Sequence, residues 1–286
     1  MRVVKISGGL GNQMFQYVFG KYLSKKYNEK IYYDVDWYKN LKKKKRLYNL
    51  ELLKFDLDIE IIKGQDYLFK SIIFDTLIYL FKGLMPFDKS NRIILYESRV
   101  SLIGSILSLI FKNNYHPGYW QEYKFYKSVS NEIEFKINSN QLFINNEIKN
   151  KILNTNAVSV GIRRGDYVKL GQIVCNKDYY FKAINLINNK FYNPTYYIFS
   201  DDIEWCKNNI KLSKEHYFVK QNSETPFENM ELMSLCKHNI ISNSTYDWWG
   251  AMLNKNNKKI VICPKKWMPA DKKIRVKLIP NQWIKI

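Results

Sequence analysis

From residue 157 onward the chain repeats one pattern: a short apolar run rich in β-branched or aromatic residues, a polar break, then a run with helical spacing. Residues 157–162 (AVSVGI), 196–199, 217–219, 239–241 and 259–263 read as strands. Residues 179–189, 205–210, 230–236 and the stretch holding Trp248, Trp249 and Leu253 read as helices. Strands that alternate with helices imply a parallel sheet, because a parallel connection must cross over the sheet and a helix does so compactly. The expected fold class is therefore α/β with a doubly wound parallel sheet, and such sheets bind ligands outside the carboxyl ends of their strands.

Three of those strand ends are polar and should line one crevice: Arg163-Arg164-Gly165-Asp166, Ser200-Asp201-Asp202 and Ser242-Asn243-Ser244-Thr245. An arginine pair at a strand end suits a pyrophosphate, since a guanidinium is permanently charged and forked and can grip two oxygens at once. It equally suits an exposed basic turn with Asp166 as the local ion partner. Ser244 and Thr245 stand where a helix begins, so their hydroxyls and the backbone amides can hold phosphate or serve only as caps.

The first half opens on a strand at residues 2–7, a turn Gly8-Gly9-Leu10-Gly11-Asn12-Gln13 and a helical run over 14–23. Strand, glycine turn and helix bring amides toward an anion, but the turn is neither a Walker loop nor GxGxxG, and a tight βα turn needs no ligand. Residues 30–36 read as a second strand ending in Asp34-x-Asp36; Asp56-x-Asp58 repeats the spacing. A DxD pair can hold a divalent metal, although paired carboxylates at strand ends are also ordinary turn residues. Residues 67–111 contain two apolar helical runs, read as a core helix pair or as a face resting on a membrane. Residues 118–121 (Gly118-Tyr119-Trp120-Gln121) place aromatics beside an amide, which suits sugar stacking or ordinary packing.

The 286 residues suit two domains, 1–150 and 151–286, with the last residues packing back on the N-terminal one. A formal charge of +20 fits phosphorylated substrates, an anionic membrane face or nucleic acid. The basic residues are spread along the chain, with 42–46 the only purely basic run, and no nucleic-acid motif is present. Cys175, Cys206, Cys236 and Cys263 form no CxxC pair, so they read as reduced thiols and point to the cytoplasm. The N-terminus lacks the apolar centre of a signal peptide, and no run of apolar residues is long enough to span a membrane.

Four stretches in order, GGLGNQMFQY, GYWQ at 118–121, IRRGDY at 162–167 and ELMSLCKHNIISNSTYDWWGAML at 231–253, resemble the bacterial α-1,2-fucosyltransferases of glycosyltransferase family eleven over roughly residues 1–265. The resemblance implies a GT-B-type fold of two facing Rossmann-like domains with parallel sheets. It implies GDP-fucose as donor, a galactose-ended oligosaccharide or lipid-linked glycan as acceptor, inversion at the anomeric carbon, a role in surface-polysaccharide synthesis and no metal. On this reading Arg163, Arg164 and Asp166 are catalytic, with an arginine stabilising charge on the β-phosphate. Gly9, Gly11, Asn12, Asp201, Ser244 and Thr245 bind the nucleotide sugar, Asp201 at the guanine or ribose. Tyr119, Trp120 and Gln121 form the acceptor wall. The chain departs from the family's His-x-Arg-Arg-x-Asp pattern at Gly161, and from a serine at Asp247. Asp166, beside two arginines, suits orienting one of them better than acting as base; Asp178, Glu231 and Asp247 are the other carboxylates considered. The expected location is cytoplasmic, with peripheral contact on the inner face of the plasma membrane as a variant. The rival readings are a metal-dependent transferase with another donor, using Asp34-x-Asp36, a non-catalytic basic module on nucleic acid or membrane, and a protein-modifying fucosyltransferase.

Overall fold

The computed structural model describes residues 2–39, 48–62, 114–138, 146–220, 225–269 and 277–286. The two apolar runs expected between 67 and 111 and the basic run 42–46 lie outside them. The chain divides into two compact units. One comprises 1–52 and 57–134, the other 53–56 and 135–286.

In the first unit, β1 (Arg2–Lys5) pairs in parallel with β2 (Ile31–Asp34) on one side and β3 (Asn114–His116) on the other. The third strand, NYH, is too short to show a period and was not legible as a strand. The helix α1 (Leu10–Tyr27) starts after Gly9 and stops at Asn28, whose backbone is left-handed (φ 51°) and whose N–H donates to the Ser24 carbonyl. Asparagine tolerates that conformation better than most residues, and Lys25 and Lys26 stand in the last turn, where the helix dipole favours cations. Among the described residues this unit also holds the short helices α2 (Asp36–Lys39) and α3 (Tyr123–Val129).

Among its described residues the second unit holds a six-stranded parallel sheet in the order β6-β5-β4-β7-β8-β9, with β4 (Ala157–Ile162), β5 (Thr195–Ser200), β6 (His216–Lys220), β7 (His238–Ile240), β8 (Val261–Cys263) and β9 (Ile284–Lys285). Its helices are α4 (Asn146–Leu153), α5 (Gly165–Lys169), α6 (Lys177–Lys190), α7 (Ile203–Asn209), α8 (Pro226–Leu235) and α9 (Thr245–Met252). Every residue of β4 and β5 is buried, as a strand covered on both faces requires. Val158, Val160 and Ile162 pack on one face with Ile184 and Ile187, while Ala157 packs on the other with Phe199, Leu232 and Met233. The final residues, expected to pack back on the first domain, pair with β8 and extend this sheet. The expected boundary at residue 150 falls inside α4, which belongs to the second unit; the first unit's sequence runs to residue 134.

From β4 the chain winds outward through β5 and β6, then returns to the other side of β4 and winds through β7, β8 and β9. The reversal lies between β4 and β7, so the connections leaving those two strands diverge to opposite faces and open a crevice at their carboxyl ends. Among the described residues no helix is long and apolar enough to cross a membrane. All four cysteines are buried free thiols.

Candidate active site

β4 delivers Arg163 and Arg164 to the switch point. Arg163 donates from Nη2 to Asp166 Oδ1 at 2.6 Å and pairs through Nη1 with Asp201 Oδ2 at 2.8 Å. Arg164 donates its backbone N–H to Asp201 Oδ1 at 2.8 Å and its Nε to Asp202 Oδ2 at 3.1 Å, with its guanidinium 3.9 Å over the Trp205 ring. Both oxygens of Asp201 are thus engaged with the arginine pair. Gly165 permits this: a Cβ there would stand 2.5 Å from Asp201 Oδ2. Asp202 has a second task, capping α7 by accepting the Trp205 N–H at 3.1 Å. Two arginines against three aspartates leave the cluster one negative charge in excess. A phosphate that binds there can share the guanidinium N–H groups with the carboxylates, since each guanidinium carries five donors. The Arg163 and Arg164 side chains keep 23% and 19% of their surface exposed, enough to do so.

The β7–α9 turn stands beside them. Ser244 is buried and caps α9 by accepting the Tyr246 N–H at 3.2 Å; Thr245 begins the helix and is half-buried. Tyr167 donates its hydroxyl to the Asn243 carbonyl at 3.4 Å, and the Asn243 amide donates to the Gln172 carbonyl at 2.9 Å. These bonds tie the arginine turn and α5 to the serine-threonine turn, so the expected nucleotide-binding residues of this half converge. Neither α5 nor Tyr167's bridging role was legible: the helix has five residues, below any usable period.

Of the other carboxylates, Asp178 is exposed at the start of α6. Glu231 lies 3.9 Å from Lys149, and burial raises its pKa. Asp247 is buried, with burial pushing its pKa up to about 6 against the lowering effect of Ser242 hydrogen bonds and of Arg163.

In the first unit, Gly8, Asn12, Tyr119 and Gln121 form one cluster. Gly8 has φ +80°, and a Cβ there would meet Asn12 Nδ2 at 2.9 Å and the Tyr119 ring at 3.3 Å. Gln121 donates to Asn12 Oδ1 at 2.9 Å. Gly9 and Gly11 flank the start of α1, which has no side-chain cap. Trp120 lies flat on Phe19, with ring centroids 3.9 Å apart and 6° between planes, so one of its faces is already covered. Asp34, a rival metal ligand, accepts the Asp36 N–H on Oδ1 at 2.9 Å and the Tyr115 hydroxyl on Oδ2 at 2.7 Å; Asp36 pairs with Lys39.

Two residues of the same motif carry the turn and were not singled out. Gln13 donates to the carbonyls of Gly8 (3.0 Å) and Asn49 (2.8 Å) and accepts the N–H groups of Glu51 (3.0 Å) and Leu52 (2.9 Å). Gln16 donates to the Gly118 carbonyl at 2.8 Å and accepts the Ser7 N–H at 2.8 Å, joining the glycine turn to the GYWQ loop. Their signal is two amides three residues apart in an otherwise apolar helical run, which places both on one buried face.

The model of glycosyl transferase family 11 matches residues 96–286. The chain belongs to glycosyl transferase family 11. It is therefore a glycosyltransferase. It is 32% identical to an alpha-1,2-colitosyltransferase of Escherichia coli over 99% of this chain and 98% of that one. It is 30% identical to the Escherichia coli O-antigen biosynthesis glycosyltransferase WbnK, over 98% and 99%. Among solved structures, the Bradyrhizobium fucosyltransferase NodZ superposes with a TM-score of 0.53 at 11% identity, over 88% of this chain and 91% of that one. That likeness carries the fold, which is of the GT-B type with parallel sheets.

Proposed function

We propose that this family 11 enzyme transfers L-fucose from GDP-fucose to the 2-hydroxyl of a β-galactoside, with inversion, in the synthesis of a surface polysaccharide such as O-antigen. The observation that carries this reading is the arginine pair at the carboxyl end of β4, held in place by Asp201 at the switch point. The acceptor oxygen attacks the anomeric carbon, the bond from that carbon to the β-phosphate oxygen breaks, and GDP leaves with the bonding electrons. The hydroxyl proton passes to a base or to water. Charge gathers on the leaving phosphate, and Arg163 and Arg164 stabilise it where a metal would otherwise serve. We therefore assign no metal to the reaction. Ser244 and Thr245, with the amides that open α9, hold phosphate oxygens; Asp166 and Asp201 orient Arg163. The cluster of Gly9, Gly11 and Asn12 contributes amides and an amide side chain toward donor, and Tyr119 and Gln121 toward acceptor, with Trp120 as a packed support for them. Work on the cytoplasmic side of the membrane, in peripheral contact with it, belongs to the same proposal.

A second donor is favoured by the colitosyltransferase relative, which aligns over nearly the whole chain. Colitose is fucose without its 3-hydroxyl, so the same pocket chemistry serves either sugar. The test is GDP release by the purified protein with GDP-fucose or GDP-colitose, lactose as acceptor and EDTA present, run beside Arg164→Ala. Acceptor-dependent release that Arg164→Ala lowers by about a hundredfold to a thousandfold supports the proposal. Release only with GDP-colitose replaces the donor, and activity restored only by added manganese overturns the metal-free assignment.

A further inference from the structure

The proposal above gives the buried Asp247 no task. Asp247 stands in the first turn of α9 at 3% exposure, and its Oδ2 accepts both the backbone N–H of Ser242 (3.1 Å) and the Ser242 hydroxyl (2.5 Å). The space it fills exists because residue 161 on β4 is glycine. A Cβ at 161 would lie 2.5 Å from Oδ2 and 2.9 Å from Oδ1 of Asp247. Gly161 sits in ordinary strand backbone paired with Phe199, so no unusual conformation demands a glycine there. The demand comes from the carboxylate. The glycine at 161 and the carboxylate at 247 are therefore one arrangement: a negative charge occupies the space that a side chain on β4 would take.

That charge sits in a defined surrounding. Arg163 beyond the end of β4 favours the ionised form, and Asp201 beyond the end of β5 opposes it. Tyr246 on its own helix, Tyr179 and Tyr180 on α6 and Cys175 just before α6 all sense it: burial is the main cause of their raised pKa values, and the negative charge of Asp247 adds to the rise. Ser242, beyond β7, supplies the two hydrogen bonds.

We infer that Asp247 is a positioning residue of this site, standing where a side chain at 161 would stand and setting the negative charge against which Arg163 meets an anionic donor. This rests on the donor reading above. The consequence is thermodynamic. A pyrophosphate brought to Arg163 adds negative charge near Asp247 and makes its protonation easier. By reciprocity, protonating Asp247 strengthens donor binding by the same factor, about tenfold for each unit by which the bound donor raises its pKa. Burial has already brought that pKa to about 6, so the effect falls in an accessible range.

The experiment is calorimetric titration of GDP-fucose, whose pyrophosphate keeps its charges throughout, into the full chain between about pH 5 and about pH 8. Wild type is expected to bind roughly tenfold more tightly at the acid end, whereas Asp247→Asn and Asp247→Ser are expected to show a flat profile. Equal slopes in wild type and Asp247→Asn overturn the inference. A thermal-melting cycle keeps the pair testable if one variant folds poorly. Gly161→Ala is expected to lower the melting temperature strongly in wild type and only slightly in Asp247→Ser; equal losses in the two backgrounds overturn the pairing. Absence of binding by wild type at every pH, with GDP-colitose as well as GDP-fucose, overturns the donor reading and the positioning role with it, while the melting cycle still decides the pairing.

Discussion

Asp201 grips both arginines of the site with one carboxylate: Oδ2 lies 2.8 Å from Arg163 Nη1, and Oδ1 accepts the Arg164 N–H at 2.8 Å. The bond to the backbone fixes where β4 ends, and the bond to the side chain fixes where Arg163 points. Asp201→Asn keeps the size but removes the charge and turns one acceptor into a donor. It is expected to lower kcat by about a hundredfold, the scale of a misplacement near 1 Å, with little loss of fold. Steady-state kinetics checks this. An effect confined to discrimination between GDP and other nucleotides would assign Asp201 to the base instead.

Arg164 packs on Trp205 and donates to Asp202, so its guanidinium plane is oriented from two sides. A lysine has neither the fork nor the flat face. Arg164→Lys is therefore expected to lose most of what Arg164→Ala loses, about a hundredfold or more in kcat. Lysine activity close to wild type would mean that charge alone suffices.

Gln13 is fully buried and makes four hydrogen bonds that hold the Gly8 turn and the 49–52 segment. Gln13→Leu preserves the volume and removes all four bonds; the Gly8 carbonyl keeps the Tyr38 hydroxyl at 2.7 Å and the Glu51 N–H keeps the Asn49 carbonyl at 3.1 Å, so the Leu52 N–H is the group left stranded. A buried unpaired group costs about 1–3 kcal/mol and each other lost bond about 0.5–1.5 kcal/mol, partly relieved by relaxation, so a net loss of roughly 3 kcal/mol is expected in urea unfolding. A loss below about 1 kcal/mol would mean that water replaces the amide.

His238 lies flat against Phe191 at 3.9 Å, and its Nδ1 accepts the Ile260 N–H at 3.1 Å. Burial, then the charge of Lys237, lowers its pKa to about 4; burial, then Arg2, does the same for His116. Both folded values lie below the ordinary 6.5, so the folded chain binds fewer protons than the unfolded one. The stability these groups supply is complete above pH 6.5 and is lost as pH falls through about 4. Asp247, raised to about 6, acts in the opposite direction over part of that range. Urea midpoints measured against pH should fall on the acid side, and the His116→Phe, His238→Phe double variant should flatten that fall. A double variant with an unchanged acid limb would remove the histidines as its cause.

Local pattern determined the parallel α/β architecture of the second unit, because strands buried on both faces must be apolar along their length and helices must alternate with them. It also determined which residues stand at strand ends, and the order of four motifs identified the family. The tertiary structure alone decided who meets whom there. Arg163 meets Asp201 because β4 pairs with β5, and Gly161 meets Asp247 because β4 also pairs with β7. Strand order is a property of long-range pairing and carries no period along the chain, so Asp201's grip on both arginines was not legible. The same holds for Gln13 and Gln16, whose partners lie in turns and in segments remote along the chain. The Gly161 departure, read alone, was a missing side chain; the space beside β4 shows that it is the room Asp247 requires.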